Sequence, residues 1–183
     1  MKNLNCQSQQ SQKHQAIRVN HAGEYGAGQI YKGQLAVFRL KKDQKNIDLI
    51  QHMKEQEDVH FDYFDKKIAN SNIRPTIMQP VWKVAGFALG AATALMGPKA
   101  AMACTVAVEE VIDEHYQNQL QNLPEENEDD MDLKQNIEKF RQEELEHREI
   151  GLENDAEELK IYKPLSFLIK NASKLAIAVS TRV

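Results

Sequence analysis

"EELEHREIG", residues 143–151, decides the fold, because this charged stretch contains a glutamate and a histidine three positions apart. On a helix, side chains at that spacing lie on one face, with Cβ atoms about 5–6 Å apart. Glu144 and His147 can therefore bind one metal ion together. The same spacing recurs 87 residues earlier at "EDVH", residues 57–60. One Glu-x-x-His pair is common on charged helices, but two copies on two long helices indicate a metal site.

Helical periodicity runs through most of the 183 residues. Apolar side chains recur at three- and four-residue intervals, all five prolines fall between the periodic segments, and no segment alternates like a strand. The predicted helices span residues 16–41, 45–70, 81–96, 99–122, 129–158 and 164–181. Four of them are long and polar on one side, and their short connections favour an all-α antiparallel four-helix bundle. The third and sixth helices are short and apolar.

The composition restricts the class of protein. The chain has 27 acidic and 23 basic side chains, a formal net charge of -4, whereas a nucleic-acid-binding protein normally carries a basic patch. Cys6 lies in a polar stretch and Cys104 in an apolar one, so a disulfide framework is not expected. We expect a protein of a reducing compartment that does not bind nucleic acid.

The first residues differ in composition from the rest. Residues 1–15, "MKNLNCQSQQSQKHQ", lack the apolar core of a secretion signal and the arginines of a mitochondrial presequence. We predict that they form a disordered tail, that residues 16–183 form a single domain, and that the chain is bacterial or already processed. No apolar run reaches the roughly 18–20 residues that a simple membrane span needs.

Neighbouring residues indicate which acids face the interior. Glu57 and Glu144 each share a helical stripe with apolar side chains, where an unpaired carboxylate would lose several kcal/mol to desolvation. Glu143 has no acidic counterpart four positions before His60, because Gln56 occupies that place. We therefore predict that Glu57 and Glu144 bind the metal and that Glu143 is solvated.

A two-metal site in a bundle needs one further carboxylate from each of the other long helices. Glu24 precedes Glu57 by 33 residues, and Glu109 precedes Glu144 by 35. Glu109 lies on a mostly apolar stripe, whereas the adjacent Glu110 shares its side with polar residues. The predicted ligands are Glu24, Glu57, His60, Glu109, Glu144 and His147. Such carboxylate and imidazole donors suit iron or manganese better than copper or structural zinc.

Glycines are frequent around Glu24, although each lowers helix stability by about 1 kcal/mol relative to alanine. The residues concerned are Gly23, Gly26, Gly28 and Gly33. They favour either the close approach of a second helix or room for a flat substrate beside the metal. An irregular first helix is the alternative explanation.

The two apolar helices suggest a membrane surface or a core. "VAGFALGAATALM", residues 84–96, has no charge but is too short to cross a bilayer. The last helix places apolar residues near one face and Lys170 and Lys174 on its flank. Both helices either cap the core or lie in a membrane interface, where the lysines would meet anionic headgroups.

Four stretches closely resemble the demethoxyubiquinone hydroxylase family of ubiquinone biosynthesis, within the ferritin-like di-iron proteins. They are "RVNHAGEYGAGQIYKGQLAVF" (18–38), "RPTIMQPVWKVAGFALGAATALMG" (74–97), "AMACTVAVEEVIDEHYQNQL" (101–120) and "FRQEELEHREIGLENDAEE" (140–158). Other di-iron bundles share the Glu-x-x-His pairs but not "HAGEYGA" or "ACTVAVEE". The resemblance runs from about residue 16 to the C-terminus.

The resemblance implies a ferritin-like four-helix bundle that binds two iron ions per chain through the six predicted ligands. It also implies O₂-dependent hydroxylation of the quinone ring of demethoxyubiquinol, a late step of ubiquinone biosynthesis. Because the polyprenyl tail of that substrate lies in the bilayer, the helices near 81–96 and 164–181 are expected to attach the protein peripherally to the cytoplasmic face of a bacterial inner membrane. The expected partners are further copies of the chain or other proteins of ubiquinone synthesis.

The electrons for such a reaction must come from outside the chain. The family is described as using reduced nicotinamide, but no Gly-x-Gly-x-x-Gly follows a strand, so the sequence carries no dinucleotide-binding motif. The alternatives are the quinol form of the substrate and a partner reductase.

Two residues beyond Glu109 are candidates for a supporting role at the metal. His115 is expected to donate a hydrogen bond to a ligand carboxylate or to orient the substrate ring, with a structural role as the alternative. Tyr116 is expected to accept a hydrogen bond or to relay electrons. His21 either hydrogen-bonds within the bundle or lies outside it.

Two other functions fit parts of the pattern. The first is another ferritin-like di-iron oxidase or an iron store, although an apolar third helix has no use in a soluble storage shell. The second is a non-enzymatic helical module that binds quinone or lipid and whose carboxylates form salt bridges. That module would need Lys or Arg partners for the four glutamates, and Arg18 and Arg148 are the nearest candidates.

Overall fold

The computed structural model describes the backbone of residues 2–182 and the side chains of residues 9–182. Within that range the regular structure is helical throughout, so the prediction of an all-α fold is confirmed. The α-helices are α1 Lys2–Lys41, α2 Gln44–Asn70, α3 Gln79–Met96, α4 Pro98–Asn122, α5 Glu128–Glu153 and α6 Tyr162–Ser180, and a 3-10 helix, Ala156–Glu158, precedes α6. None of the helices in the described range combines the length and the apolar character that crossing a bilayer requires.

A tight turn makes α1 and α2 an antiparallel pair. Asp43 lies in this turn and caps the start of α2 through its side chain, which stabilises the first helical turn. His21 near the start of the pair contacts Asp65, while Arg39 near its turn contacts Gln51. The two helices therefore lie side by side over most of the length of α2.

The apolar helix α3 is the crossover connection of the bundle. Asn20 of α1 hydrogen-bonds to Gln119 near the end of α4, and Gln34 reaches Ala101 near its start. Helix α4 is therefore antiparallel to α1 and parallel to α2. Because α2 ends where α4 also ends, the chain must return along the bundle before α4 can begin, and α3 makes that return beside α1.

The core contains two apolar layers with a polar cluster between them, and a third apolar cluster where α6 packs against α1 and α4. One layer lies towards the α1–α2 turn and includes Phe38, Ile50 and Met102. The other lies towards the opposite end and includes Phe64 and Phe140. All five side chains are almost completely buried. Polar residues that lie between these layers are consequently shielded from water at both ends.

Helix α1 begins earlier than predicted. It is helical from Lys2, so residues 2–15 continue the first helix where a disordered tail was expected. Lys13 is buried, and its Nζ lies 2.5 Å from a carboxylate oxygen of Asp129 and 2.5 Å from one of Asp130. These contacts fix the extended part of α1 against the start of α5, an interaction that local composition does not reveal.

Helix α5 ends earlier than predicted. It was expected to reach residue 158 but ends at Glu153, two residues before Asp155. Asp155 adopts a left-handed backbone conformation with φ of 65°, which does not continue a right-handed helix. The residues that follow form the short 3-10 helix and lead into α6.

Glycines bring the backbones of α1 and α3 into direct contact. A Cβ atom on Gly90 would overlap the carbonyl oxygen of Ile30 and lie 2.7 Å from its carbonyl carbon. A Cβ atom on Gly86 would lie 2.8 Å from the carbonyl oxygen of Gly26. Side-chain atoms do not approach backbone so closely, so glycine is required on α3 at both positions.

The glycines of α1 serve two purposes. A Cβ atom on Gly33 would overlap the carbonyl oxygen of Phe87, so this glycine permits the close approach of α3. Gly26 and Gly28, by contrast, have nothing within 4 Å of the position that a Cβ atom would take. Close helix contact and open space are therefore both present along this helix. The helix is continuous through all of its glycines, so the alternative of an irregular first helix is wrong.

Replacing Gly90 with alanine should push α1 and α3 apart. We expect the free energy of unfolding to fall by about 1–3 kcal/mol, the usual effect of overpacking. Gly28→Ala is the matched control, because its new methyl group meets no neighbouring atom and alanine favours the helix by up to about 1 kcal/mol. Chemical denaturation followed by circular dichroism measures both changes. Equal losses of stability in the two variants would contradict the role given to the glycine contact.

Candidate metal centre

Six side chains from four helices converge between the two apolar layers. Their ligand atoms form two groups, and within each group these atoms all lie within 4.8 Å of one another. The first group is Glu24, Glu57, His60 and Glu144, and the second is Glu57, Glu109, Glu144 and His147. Glu57 and Glu144 belong to both groups, so two ions bound side by side would share these two carboxylates. The six residues are those that the sequence pattern predicts.

Helix geometry explains how the six side chains meet. Each Glu-x-x-His pair presents a carboxylate and an imidazole from one face of its helix, α2 or α5. Helices α1 and α4 lie beside that pair and contribute one carboxylate each. All six side chains are at most 4% exposed, because the apolar layers cover the cluster above and below.

Both imidazole rings are held at their two nitrogens. Nδ1 of His60 and Nδ1 of His147 each lie 3.0 Å from a different carboxylate oxygen of Glu144. Nε2 of His60 lies 2.7 Å from Oε2 of Glu143, and Nε2 of His147 lies 2.8 Å from Oε1 of Gln56. Because these outer oxygens only accept hydrogen bonds, each Nε2 carries a proton and each Nδ1 faces the cluster.

Two tyrosines donate hydrogen bonds to the carboxylates of α1 and α4, each from the opposite helix. The Tyr31 hydroxyl on α1 donates to Oε1 of Glu109 on α4 at 2.9 Å, and the Tyr116 hydroxyl on α4 donates to Oε1 of Glu24 on α1. Both phenols are buried. Burial and the nearby carboxylates raise the pKa of each phenol well above its usual value, so both remain protonated donors. The observed role of Tyr116 is thus that of a donor, and its predicted roles as an acceptor or as a relay for electrons stay predictions.

The acids of the cluster are incompletely paired. Both carboxylate oxygens of Glu57 and Oε2 of Glu109 are buried without a hydrogen-bond partner. Among the side chains of residues 9–182, Glu24, Glu57 and Glu144 form ion pairs only with His60 and His147. Glu109 forms none within that range, and no lysine or arginine there reaches any of the four glutamates. Burying an unpaired carboxylate is unfavourable by several kcal/mol. The arrangement therefore favours the binding of cations.

The electrostatics of the cluster agree with cation binding. Burial and the charge of Glu144 raise the pKa of Glu57 and of Glu109 well above the usual value. Burial opposes the charged form of both histidines, but hydrogen bonds to Glu144 raise the pKa of His60 to about 12 and that of His147 to about 11. Burial also opposes the charged form of Glu144, yet hydrogen bonds from the same histidines lower its pKa. Divalent cations would replace the protons that these groups otherwise retain.

The donor set fits the metals suggested by the sequence. Four carboxylates and two imidazoles are oxygen and nitrogen ligands of the kind that iron and manganese accept. The unpartnered oxygens of Glu57 and Glu109 face the interior and are available to complete the coordination of a bound ion. The residues present in this chain therefore fit a pair of divalent ions.

The adjacent acids on α4 and on α5 differ in how deeply they are buried. Glu109 lies in the cluster, whereas Glu110 is partly exposed and pairs with Arg148 and Lys170. The expectation that Glu143 is solvated is wrong, because only 24% of its side chain is exposed and it hydrogen-bonds to His60. Glu143 lies on α5 beside α2, and its carboxylate is close enough to reach Nε2 of His60.

His115 lies away from the ligand carboxylates. Its Nε2 is 2.7 Å from Nε2 of Gln119, and its ring lines a cavity of about 230 Å³ between α1 and α4. Burial lowers the pKa of His115 to about 4, so the ring is neutral near pH 7. The contacts of His115 thus favour the structural alternative. His21 hydrogen-bonds to Asp65 of α2, outside the cluster.

Tyr31 and Gln56 contact the cluster but are not among the residues that the sequence pattern identifies. Signals for both exist in the spacing. Tyr31 follows the predicted ligand of its own helix by seven residues, as Tyr116 does, and Gln56 directly precedes its ligand glutamate, as Glu143 does. Comparing the two halves of the motif residue by residue would have found both.

A four-helix bundle with one crossover, in which two Glu-x-x-His pairs face two further carboxylates, defines a ferritin-like helical bundle with a buried cluster that could hold metal. The resemblance noted in the sequence is more specific than that class, and it is confirmed. The model of the family described as "Ubiquinone biosynthesis protein COQ7" matches residues 11–180, and the chain belongs to this family.

Relatives from distant organisms align with most of the chain. A protein of Dictyostelium discoideum named "NADPH-dependent 3-demethoxyubiquinone 3-hydroxylase, mitochondrial" is 53% identical over 167 residues, which cover 91% of this chain and 76% of the relative. The "3-demethoxyubiquinol 3-hydroxylase" of Rhodospirillum rubrum is 52% identical with the same coverage. A Homo sapiens protein with the same name as the first is 48% identical over 168 residues, again 91% of this chain and 76% of the relative.

Removing a shared carboxylate should abolish metal binding at both positions. We expect Glu144→Ala to weaken the binding of divalent metal by more than about 100-fold, because it removes a direct donor, and changes at outer partners alone have effects of about 10–100-fold. Glu146→Ala is the matched control, since Glu146 lies two residues away on the same helix but is exposed. Elemental analysis after dialysis against a weak chelator measures the bound metal. Normal metal content in Glu144→Ala would contradict the assignment.

Proposed function

We propose that the chain is a di-iron monooxygenase that hydroxylates the quinone ring of 3-demethoxyubiquinol with O₂, a late step of ubiquinone biosynthesis. The observation that carries this proposal is the pair of overlapping ligand groups that share Glu57 and Glu144. Membership of the family and the names of the relatives supply the substrate. The names of the Dictyostelium discoideum and Homo sapiens relatives give the quinone as the substrate, and that of the Rhodospirillum rubrum relative gives the quinol.

The six converging residues would hold the two ions in two positions. Glu24 and His60 belong to one position, Glu109 and His147 to the other, and the two shared glutamates to both. Two ferrous ions bound there would supply the reduction of O₂ that hydroxylation requires. The contribution of the chain is to hold these donors rigidly, and Tyr31 and Tyr116 restrict the two carboxylates that have no ligand histidine on their own helix.

The reaction must balance in electrons and protons. One oxygen atom of O₂ replaces a ring hydrogen as a hydroxyl group, and the other leaves as water with the uptake of two electrons and two protons. We propose that reduced nicotinamide supplies these electrons, as the name of the Dictyostelium discoideum relative indicates for that protein. Since the sequence lacks a dinucleotide motif, transfer through the quinone itself or through a partner reductase is compatible with the fold.

An apolar cavity of about 180 Å³ beside the cluster would receive the substrate. It lies between α1, α3, α4 and α6, and small residues such as Ala22, Gly26 and Ala85 line it. Gly23 and Val108, which also line it, are the immediate neighbours of Glu24 and Glu109 in sequence. A mostly apolar wall suits a prenylated ring, and its position brings such a ring to the flank of the α1–α4 pair.

Aromatic side chains keep water away from the other side of the cluster. The Phe140 ring lies 4.2 Å from the His60 ring, centroid to centroid, and Tyr31 packs edge-on against His147 at 6.1 Å. Excluding water strengthens the electrostatic interactions at the site and limits side reactions of activated oxygen. In this proposal the substrate therefore approaches the cluster from the apolar cavity and not from solvent.

We propose that the outer faces of α3 and α6 attach the protein peripherally to the cytoplasmic face of a bacterial inner membrane. Val84 and Phe87 of α3, and Phe167, Leu168 and Leu175 of α6, are large apolar side chains that are exposed. Clusters of this kind are typical of interaction surfaces. Both helices also line the apolar cavity, so a tail in the bilayer would be near its entrance.

The lysines of α6 have a different role from the one expected. Lys170 pairs with Glu110 and Lys174 with Glu114 at 2.7 Å, so both side chains bind α6 to α4. These partly exposed pairs contribute little to stability. Membrane contact in this proposal therefore rests on the apolar side chains and not on Lys170 or Lys174.

The hydroxylation is tested with the purified protein, ¹⁸O₂, NADPH and a short-tail demethoxyubiquinone. We expect one ¹⁸O atom per product ring by mass spectrometry, no product without O₂, and loss of product together with metal in Glu144→Ala but not in Glu146→Ala. Iron oxidation without a labelled ring would favour an oxidase or an iron store. Quinone binding by a protein that takes up no metal would favour the non-enzymatic module.

Membrane attachment is tested by sedimentation with vesicles of phosphatidylethanolamine and phosphatidylglycerol. We expect Leu168→Ser to weaken binding by about tenfold, because burying a leucine side chain is favourable by about 1.5–3 kcal/mol. Val59→Ser is the matched control, since Val59 is also an exposed aliphatic residue but lies on α2, away from α3 and α6. Equal effects of the two substitutions, or no binding by the wild type, would contradict this mode of attachment.

A further inference from the structure

The metal-binding cluster has an approximate two-fold symmetry that relates α1 and α2 to α4 and α5. The direct donors match in pairs across it, as do the two tyrosines: each tyrosine donates to the glutamate of the opposite half. The outer partners of the histidines also cross between halves, because each ring is bound by a residue from the other Glu-x-x-His helix. In residue type, the two halves match in all of these groups except one.

The exception is the pair of side chains behind the histidines. His60 donates from Nε2 to a carboxylate oxygen of Glu143, whereas His147 donates from Nε2 to the amide oxygen of Gln56. The two distances, 2.7 and 2.8 Å, are nearly equal, so the difference lies in charge and not in geometry. The side chains occupy matching positions, each directly before the shared glutamate of its helix.

A carboxylate behind a ligand histidine makes the facing nitrogen a stronger donor. Hydrogen bonds to an ionised acceptor are roughly twice as strong as those between neutral groups. Such partners raise the basicity of the ligand and commonly change metal affinity by about 10–100-fold. An amide in the same place orients the ring but adds no negative charge.

We propose that Glu143 and Gln56 are positioning residues that make the two metal positions unequal. The position formed with Glu24 and His60 binds a divalent cation more tightly than the position formed with Glu109 and His147. It therefore fills first. This inference rests on the assignment of the six ligands under the proposed function. The inference adds an order in which the two positions fill. The direct donors do not specify this order, because they are of the same residue types in both halves.

The surroundings of Glu143 leave most of its effect on His60 intact. Oε2 of Glu143 faces the ring, while Oε1 lies 3.6 Å from Nζ of Lys139. That lysine is 60% exposed and lies one turn away on the same helix, an arrangement that gives only weak pairing. The carboxylate itself is three-quarters buried, so solvent screens its interaction with His60 incompletely.

The experiment is a calorimetric titration of the metal-free, full-length protein with Co²⁺, accompanied by the visible absorption of bound Co²⁺. For the wild type we expect two resolved steps whose dissociation constants differ by about tenfold or more. Glu143→Gln should weaken the first step by about tenfold and merge the two. Gln56→Glu should strengthen the second step, so that its dissociation constant approaches that of the first and the two steps again merge.

The exchanged variant, Gln56→Glu with Glu143→Gln, provides the decisive comparison. It carries the same two side chains in reversed places, so we expect two resolved steps to return. A purely structural role for either residue would not restore the separation. Glu146→Gln, an exposed neutralisation on the same helix, is the control and should leave both steps unchanged.

The possible results have distinct meanings. Two equal steps in the wild type, an unchanged separation in Glu143→Gln, or a failure of the exchanged variant to restore it would overturn the inference while leaving the metal site itself in place. A wild type that binds no Co²⁺ would overturn the ligand assignment and with it the proposed function. Circular dichroism identifies a variant that does not fold, and Gln56→Glu then tests the inference independently of Glu143→Gln.

Discussion

The burial of four carboxylates in the middle of an apolar bundle is the constraint on which this structure depends. Water would stabilise these groups far better than hydrocarbon, so the fold must provide neutralising groups at the same place. Two imidazoles and two phenols supply part of this, and they leave Glu57 without any hydrogen bond. Under the proposed function a pair of divalent cations would supply the remainder, and this would link the folding of the core to the chemistry of the site.

The same constraint explains why the helices are arranged as they are. Phe64, Phe140 and their neighbours cover one end of the cluster, and Phe38, Ile50 and Met102 cover the other. Hydrogen bonds that cross between the halves then orient Glu24, Glu109 and both imidazole rings. A centre whose donors are fixed in this way reorganises little when a metal binds, and preorganisation of that kind is what functional sites require.

Sequence periodicity is sufficient to predict the helices and the inward-facing acids, because both depend on spacing along a single helix. Glu57 and His60, for example, are recognisable without any knowledge of what faces them. The early start of α1 depends instead on ion pairs of Lys13 with a distant helix, and the contact of Glu143 with His60 depends on the packing of α5 against α2. Such features arise between elements, and no pattern along one element encodes them.

The crossover helix α3 has a consequence for the origin of the fold. Each hairpin, α1–α2 or α4–α5, carries one lone glutamate and one Glu-x-x-His pair, which is half of the ligand set. An isologous dimer of a single hairpin would place two such halves around a two-fold axis and complete the cluster. The axis sets the two hairpins in opposite directions, so joining them in one chain requires a segment as long as the bundle, and α3 is that segment. Once the two halves are part of one chain, their sequences no longer need to be identical. Within the cluster they differ at one pair of matching positions, where one half has Gln56 and the other has Glu143.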